Sequence, residues 1–260
     1  MKITSLTNSH VKDWVKLLTK KGRDRQRKYI VEGAHLVKEA LNSTNVNIEH
    51  VVYSEDKGIP NELLEYKEDR WISVSREIMV KCSDTKTPQG IFAVIHIKNW
   101  GETSLFNDKA LVVVCDAIQD PGNLGTIIRS ADAVGASGII LGKGCVDLHH
   151  PKTVRSTMGS LFHLPIVERD LNEILKKVEN SSIQVINTSL QAESNCYEID
   201  LTAGSWFIVG NEGSGVSPEL NHYVNKQIKI PIEGQAESLN VAMASTIMLY
   251  EALRQRKYRV

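Results

Sequence analysis

The stretch ALVVVCDAIQDPGNLGTIIRSADAVG, residues 110–135, decides the fold class of this sequence. It opens with a near-continuous apolar run rich in β-branched residues, which is typical of a parallel strand covered on both faces. It then passes through Asp120-Pro121-Gly122 into a stretch with helical spacing. A strand, a loop and a helix in this order predict an α/β domain.

The same alternation continues toward the C-terminus and predicts a second domain over residues 109–260 with a mostly parallel sheet. Strand-like segments occur at 138–142, 184–189, 206–210 and 227–232, and helical segments at 171–180 and 238–257. The last helix is apolar around much of its circumference. We therefore expect it to lie in the core or to cover a face of a second subunit.

Toward the N-terminus the alternation stops and then resumes. Residues 99–108 lose apolar periodicity and carry turn formers, which predicts a linker. Before it, strand-like segments at 29–33, 48–54, 71–75 and 90–98 alternate with helical ones at 34–42, 60–67 and 76–82. Residues 1–98 are therefore predicted to form a small N-terminal α/β domain.

The charge is balanced overall but unevenly placed. The 260 residues hold 31 Lys and Arg against 31 Asp and Glu, which excludes a uniformly basic nucleic-acid binder. Between Lys12 and Lys28, however, eight basic residues face two acidic ones. We predict a helix ending near Gly22, followed by an exposed basic run that can touch phosphates.

Membrane, metal and disulfide chemistry find no support in the sequence. No apolar stretch reaches the length of a membrane span, and the first residues lack a secretory apolar region, so a cytoplasmic protein is expected. The four cysteines form no C-x-x-C pair, and the adjacent His149 and His150 would point apart on a helix. We therefore expect reduced thiols, no metal site and no membrane partner.

Three loops follow apolar runs, at the places where open α/β sheets bind ligands. They are residues 120–136, 210–220 and 231–240. None carries the glycine pattern of a P-loop or of a dinucleotide-binding turn, which argues against ATP hydrolysis and nicotinamide chemistry.

Each loop, taken alone, has a purely structural interpretation. Asn123 is suited to cap the helix after it, and Ser238 to cap the last helix. Arg129 has the pattern of a surface residue whose stem lies on apolar neighbours, and Glu212 that of a solvated acid.

Taken together, the three loops resemble the motifs of the SpoU (TrmH) family of RNA ribose 2′-O-methyltransferases. The first motif, N-x-G-x-I-x-R-x-A-x-x-x-G, spans Asn123 to Gly135. The second, G-x-E-x-x-G, spans Gly210 to Gly215, and the third, I-P-x-x-G-x-x-x-S-L-N, spans Ile230 to Asn240. The resemblance implies S-adenosylmethionine as cofactor, a trefoil-knotted C-terminal domain and a homodimer formed through that domain.

The resemblance also implies a set of site residues. Those expected at the cofactor are Asn187, Thr188, Gly210, Ile230 and Leu239. Those expected at the reacting end are Asn123, Arg129, Glu212, Ser238 and Asn240. The resemblance implies Arg129 as the group that removes the proton from the ribose hydroxyl, and this alternative stays open. Because a guanidinium stays protonated, we expect Arg129 instead to clamp a phosphate and stabilise the developing alkoxide, with Glu212, Ser238 and Asn240 orienting Arg129 and the ribose.

The N-terminal part is similar to the substrate-binding domain of many SpoU enzymes, through Glu32-Gly33 and residues 87–90. This similarity favours large-subunit (23S) rRNA as substrate, with a guanosine as the modified nucleotide. The residues expected to hold the RNA are Lys20, Lys21, Arg23, Arg25, Arg27 and Lys28. Two alternatives stay open: a tRNA ribose 2′-O-methyltransferase, and a non-catalytic RNA-binding or ribosome-assembly protein.

Overall fold

A computed structural model describes residues 1–68, 71–189 and 191–258. Its α-helices are α1 Ser9–Lys16, α2 Lys20–Gln26, α3 Ala34–Asn42, α4 Arg76–Lys81, α5 Pro121–Ala133, α6 Pro151–Thr157, α7 Leu171–Lys176 and α8 Val241–Lys257. Its strands are β1 Lys2–Ile3, β2 Lys28–Glu32, β3 Ile48–Ser54, β4 Trp71–Val74, β5 Ile91–His96, β6 Leu111–Cys115, β7 Gly138–Leu141, β8 Ile166–Glu168, β9 Gln184–Thr188, β10 Ser205–Val209 and β11 Lys226–Ile228. Short 3₁₀ helices lie at Asn61–Tyr66, Thr103–Phe106, Ser160–Phe162 and Pro218–Tyr223.

The chain divides into two compact units. Unit 1 consists of residues 1–99 and 147–163, and unit 2 of residues 100–146 and the chain from Leu164 onward. Residues 147–163 were assigned from the sequence to the second domain. They belong to unit 1 because α6 buries Pro151 and Val154 there and packs against β2.

Unit 1 is built on a five-stranded mixed sheet. Its strand order is β1-β4-β3-β5-β2, and β5 runs antiparallel to both of its neighbours, β3 and β2. The segment 60–67, predicted as a helix, contains only the 3₁₀ turn at Asn61–Tyr66. Trp14 of α1 and Phe92 of β5 meet edge to face in the core, with 5.6 Å between ring centroids.

The N-terminal segment forms two helices where the sequence predicted one helix and an exposed run. Helix α1 ends at Lys16, and the side chain of Thr19 caps α2 by accepting a hydrogen bond from the Gly22 N–H at 3.1 Å. A Cβ on Gly22 would lie 1.9 Å from the Lys16 carbonyl oxygen. Glycine at this position therefore lets α2 pack against the end of α1, and the basic run is helical.

Arg23 is the exception to the predicted exposure of the basic run, because it is only 2% exposed. Its Nε donates to Asp147 at 3.2 Å, and its Nη1 donates to the Leu17 carbonyl at 2.8 Å. Lys28 forms an ion pair with Glu49 at 2.7 Å. Arg23 and Lys28, two of the six predicted RNA-binding residues, thus have their charges paired within unit 1.

His149, a histidine of unit 1, is expected to make the stability of the protein depend on pH. The His149 ring lies 4.5 Å from the Tyr29 ring, and burial lowers the pKa of His149 to about 4, against the opposing effect of Asp147. The unfolded chain takes up the proton near pH 6.5, so it binds more protons than the folded chain between pH 6.5 and 4. The free energy of unfolding is therefore expected to fall as the pH is lowered through this window. Urea denaturation at a series of pH values tests this, and His149→Phe, which keeps a ring against Tyr29, should flatten the dependence.

Unit 2 is built on a six-stranded sheet of order β11-β9-β10-β6-β7-β8 in which each described pairing is parallel. The predicted mostly parallel α/β fold is confirmed, and the trefoil knot stays a prediction. The central strands β6 and β10 are buried along their length. Because parallel strands end at the same edge, the loops that follow β6, β9 and β10 lie together at the carboxyl edge of the sheet.

Helices α5 and α8 pack against each other in unit 2, joined by a 2.7 Å hydrogen bond between the hydroxyls of Ser130 and Thr246. Helix α8 buries Met248 and Leu249 but leaves Met243 and Tyr250 about half exposed. None of the helices in the described part of the chain is long and apolar enough to cross a membrane.

Candidate active site

Glu212 ties the loop after β10 to the loop after β6. Its Oε1 accepts hydrogen bonds from Asn123 Nδ2 at 2.9 Å and from the Asp120 N–H at 3.2 Å. Its Oε2 accepts one from the Gln119 N–H at 3.3 Å. A carboxylate that accepts three N–H bonds is fixed in place although its side chain reaches solvent.

These hydrogen bonds also keep Glu212 ionised. Burial by itself would raise the pKa of Glu212, but the bond from Asn123 and the backbone N–H bonds outweigh it and hold the pKa below its ordinary value of 4.5. The loop therefore carries a negative charge at neutral pH.

Asn123 extends the connection to the third loop. Its Oδ1 accepts a hydrogen bond from Asn240 Nδ2 at 3.0 Å. Asn240 Oδ1 in turn caps α8 by accepting from the N–H groups of Ala242 and Met243 at 2.9 and 3.3 Å. Glu212, Asn123 and Asn240 thus form one hydrogen-bonded row across the three loops that the sequence singled out.

Neither Asn123 nor Ser238 caps a helix, although the sequence suggested both as helix caps. Asp120 caps α5 by accepting from the Asn123 N–H at 2.9 Å, which leaves the Asn123 side chain available for Glu212 and Asn240. Helix α8 begins at Val241 and is capped by Asn240, so Ser238 lies outside the helix.

A cavity of about 140 Å³ opens next to this row of polar residues. It is lined by Thr188, Ser189, Lys229, Ile230, Ile232, Ser238, Leu239 and Ala244. A second hollow of about 350 Å³ shares Lys229, Ile230 and Ile232 with it. Apolar walls with a few polar groups suit a nucleoside with charged substituents, so these residues fit S-adenosylmethionine.

Three of the five predicted cofactor residues, Thr188, Ile230 and Leu239, line this cavity. Asn187 and Gly210 do not, although Asn187 is 4% exposed and its Oδ1 has no hydrogen-bond partner in the described structure. A Cβ on Gly210 would lie 2.1 Å from the carbonyl carbon of Gly215. The close approach that requires glycine at 210 is thus made by the chain's own turn.

Arg129 stands apart from the row. It lies on the exposed face of α5, and the described residues include no hydrogen-bond or ion-pair partner for its guanidinium. In the described part of the chain it forms no hydrogen bond or ion pair with Glu212, Ser238 or Asn240. Its charge is therefore free to meet a group from outside this chain.

Two further residues, Asp116 and Asn211, hold the site loops and were not predicted from the sequence. Asp116 is 6% exposed, and its Oδ2 accepts from the Ser217 N–H at 2.7 Å. Asn211 Nδ2 donates to the Ala117 carbonyl at 2.9 Å. Two sequence features could have indicated these residues: Asp116 is an acid directly after an apolar strand, and Asn211 is an amide between Gly210 and Glu212.

Comparison with known proteins shows the family of this chain. The pattern of the SpoU rRNA Methylase family matches residues 110–250, and that of the MRM3-like substrate binding domain matches residues 8–93. The chain belongs to the SpoU family. The predictions of this family and of an S-adenosylmethionine-dependent RNA 2′-O-methyltransferase are thereby confirmed.

Similar SpoU proteins cover almost the whole chain. The 23S rRNA (guanosine(2553)-2′-O)-methyltransferase RlmP of Bacillus subtilis is 39% identical over 248 residues, covering 95% of this chain and 97% of its own. A 23S rRNA (uridine(2479)-2′-O)-methyltransferase of Streptomyces viridochromogenes is 30% identical, covering 98% and 92%. The crystal structure of the SpoU methyltransferase AviRb from the same organism, in complex with AdoMet, superposes with a TM-score of 0.88 at 29% identity, covering 97% of this chain and 100% of AviRb.

The described residues contain no group of three or more His, Cys, Asp or Glu side chains placed to hold a metal ion. His149 and His150 lie in unit 1, where His149 packs against Tyr29 and His150 caps α6.

Proposed function

We propose that this protein transfers the methyl group of S-adenosylmethionine to the 2′-hydroxyl of a guanosine in 23S rRNA. The observation that carries the proposal is the row Glu212–Asn123–Asn240, which fixes three loops beside a cavity suited to the cofactor. The guanosine of 23S rRNA is the substrate named for the Bacillus relative, whereas the Streptomyces relative is named for a uridine.

The chain's own residues supply alignment and charge. S-adenosylmethionine, when bound, supplies a methyl group on a positively charged sulfur. Thr188, Ile230 and Leu239 would hold it, and the fixed amides of Asn123 and Asn240 would orient the ribose. Arg129 would hold a phosphate of the RNA and stabilise the charge that develops on the attacking oxygen.

The substrate RNA would be held by unit 1. Lys20, Lys21 and Arg25 are exposed on α2, and Arg27, also exposed, donates to Asn99 at 2.6 Å. Arg23 is left out of this surface because it is buried. Exposed cations of this kind bind the phosphate backbone, so affinity for RNA is expected to weaken as the salt concentration rises.

We infer further that the protein is a cytoplasmic homodimer joined through unit 2. Met243 and Tyr250 are seven residues apart on α8, which places two half-exposed apolar side chains on one face of the helix. Covering such a face with a second copy would remove it from water. The trefoil knot belongs to the same proposal.

The substrate is tested by mass spectrometry of RNA from strains with and without the gene. Loss of one 2′-O-methylguanosine from 23S rRNA is the expected result, together with its restoration by the purified protein on that RNA. A missing methyl group in tRNA would instead support the tRNA alternative, and no change in any RNA would support a non-catalytic role.

The cofactor site is tested by filling its cavity. Ala244→Phe places a ring in the space beside Leu239 and Ile230, so binding of S-adenosylmethionine in calorimetry is expected to fall below detection while the thermal midpoint is retained. Ala133→Phe, at an exposed position of α5, is the matched control and should bind the cofactor normally. Normal binding by Ala244→Phe would place the cofactor elsewhere.

A further inference from the structure

The turn that presents Glu212 is organised by the side chain of its neighbour, Asn211. The backbone closes the turn through paired 2.9 Å hydrogen bonds between Asn211 and Gly215. Inside it, Asn211 Oδ1 accepts from the N–H groups of Gly213 and Ser214 at 2.9 and 3.1 Å, and from the Ser214 hydroxyl at 3.3 Å. The amide oxygen thus serves the turn itself.

The amide nitrogen of Asn211 serves a different segment. Nδ2 donates to the carbonyl of Ala117 at 2.9 Å. Ala117 has a φ of 54°, in the left-handed region that a residue with a Cβ rarely adopts. A carbonyl in a strained loop that accepts a hydrogen bond from a fixed amide is held in one orientation.

The strained residue lies directly before the donors to Glu212. The N–H groups of Gln119 and Asp120 follow Ala117 by two and three positions, and both bind the Glu212 carboxylate. Asn211 therefore fixes both partners of this contact, the loop that carries the carboxylate and the loop that carries the N–H groups. Asp116 secures the far end of the turn through the Ser217 N–H at 2.7 Å.

We propose that Asn211 is a positioning residue for methyl transfer, which holds Glu212 against the 117–120 loop and thereby sets the orientation of Asn123. This inference rests on the proposed function for its catalytic consequence. The structural part, the register of the two loops, does not depend on which RNA is methylated.

The variant Asn211→Asp separates the two halves of the side chain. Aspartate keeps an oxygen that accepts from Gly213 and Ser214, so the turn is retained. It replaces the donor to Ala117 with a carboxylate oxygen that repels the carbonyl. We expect kcat to fall up to about 100-fold, as for a displacement of about 1 Å, with the affinity for S-adenosylmethionine and the thermal midpoint close to wild type.

Two measurements distinguish positioning from a merely structural role. Amide hydrogen exchange at Gln119 and Asp120 should accelerate in Asn211→Asp, whereas exchange in the 213–215 turn should not. In a double-mutant cycle with Glu212→Gln, the losses in kcat should be strongly non-additive, because both changes disrupt one contact.

Asn225→Asp is the matched control in the same unit. Asn225 Oδ1 accepts from the Val185 N–H at 2.7 Å, and aspartate preserves that bond, so this variant should keep wild-type kcat. Wild-type turnover together with unchanged exchange in Asn211→Asp would overturn the inference. Accelerated exchange at Gln119 and Asp120, in a protein whose wild type methylates no RNA, would keep the loop assignment and refute the proposed function.

Discussion

Replacing Arg129 with alanine is expected to lower the rate of methyl transfer by about 100- to 1,000-fold while leaving the affinity for S-adenosylmethionine unchanged. Arg129 is exposed and has no partner among the described residues, so its loss should disturb no contact within the fold. None of the residues that line the 140 Å³ cavity proposed for the cofactor forms a hydrogen bond with Arg129. The effect should therefore appear in turnover on RNA, measured as transfer of labelled methyl groups, and be absent from calorimetry.

The conservative variant separates charge from geometry. Arg129→Lys keeps the positive charge but loses the planar pair of donors that matches a phosphate, so it should recover only part of the lost rate. Full activity of Arg129→Ala would remove the residue from the mechanism. Loss of cofactor binding would assign it to the cofactor instead of the RNA.

The second large effect concerns stability. Arg23→Ala is expected to lower the free energy of unfolding by about 3–5 kcal/mol, because it leaves Asp147 without its partner in a mostly buried site. The Arg23 and Asp147 side chains are 3% and 15% exposed. Burial raises the pKa of Asp147, but Arg23 together with the hydrogen bond from the His149 N–H outweighs burial and holds the pKa below its ordinary value. Urea denaturation followed by circular dichroism measures the loss.

The chain offers a matched control two positions away, at Arg25. Arg25 lies on the same helix and is exposed, so Arg25→Ala should change stability by no more than about 0.5 kcal/mol. It should weaken RNA binding instead, and Arg23→Ala should not do so under conditions where it stays folded. Similar stability of the two variants would contradict the assignment of Arg23 to the interior.

The contribution of the Arg23–Asp147 pair to the free energy of unfolding depends on pH because the pKa of Asp147 is lowered in the folded chain. A carboxyl whose folded pKa is depressed stabilises the fold above its unfolded pKa of 3.8 and loses that contribution as the pH falls through the lower folded value. The loss of stability caused by protonation of Asp147 occurs at a lower pH than the loss caused by His149, between pH 6.5 and 4. The two effects can therefore be separated by measuring stability as a function of pH.

Local sequence patterns predicted much of the fold. Residues 110–117 gave a buried parallel strand because their apolar run is unbroken, and β6 lies there. The prediction of one helix and an exposed run in the basic segment was wrong. The Thr19 cap and the missing Cβ of Gly22 allow a second helix there, and neither produces a periodic signal in the sequence. The burial of Arg23 depends on Asp147, which lies 124 positions away and is invisible to local patterns.

The candidate site shows the same division between local and long-range information. The resemblance to the SpoU motifs implied Asn123, Glu212 and Asn240 as site residues, and the structure joins these three by hydrogen bonds. It forms no hydrogen bond between them and Arg129, which lies on the exposed face of α5. Asn211 was not predicted because its hydrogen bond to the Ala117 carbonyl joins the loops after β10 and β6, and no single motif contains both residues.

The path of the chain through residues 147–163 has a consequence for dissecting the protein. Because these residues leave the second unit after β7 and return before β8, the polypeptide crosses between the units three times. A cut in the 99–108 segment therefore severs only one of three connections. A fragment beginning at residue 109 would carry α6 without the strand it packs on, so its buried Val154 would face water and Asp147 would lose Arg23. Truncation at the apparent linker should yield an aggregation-prone product, and an independently soluble half requires removal of that inserted helix as well.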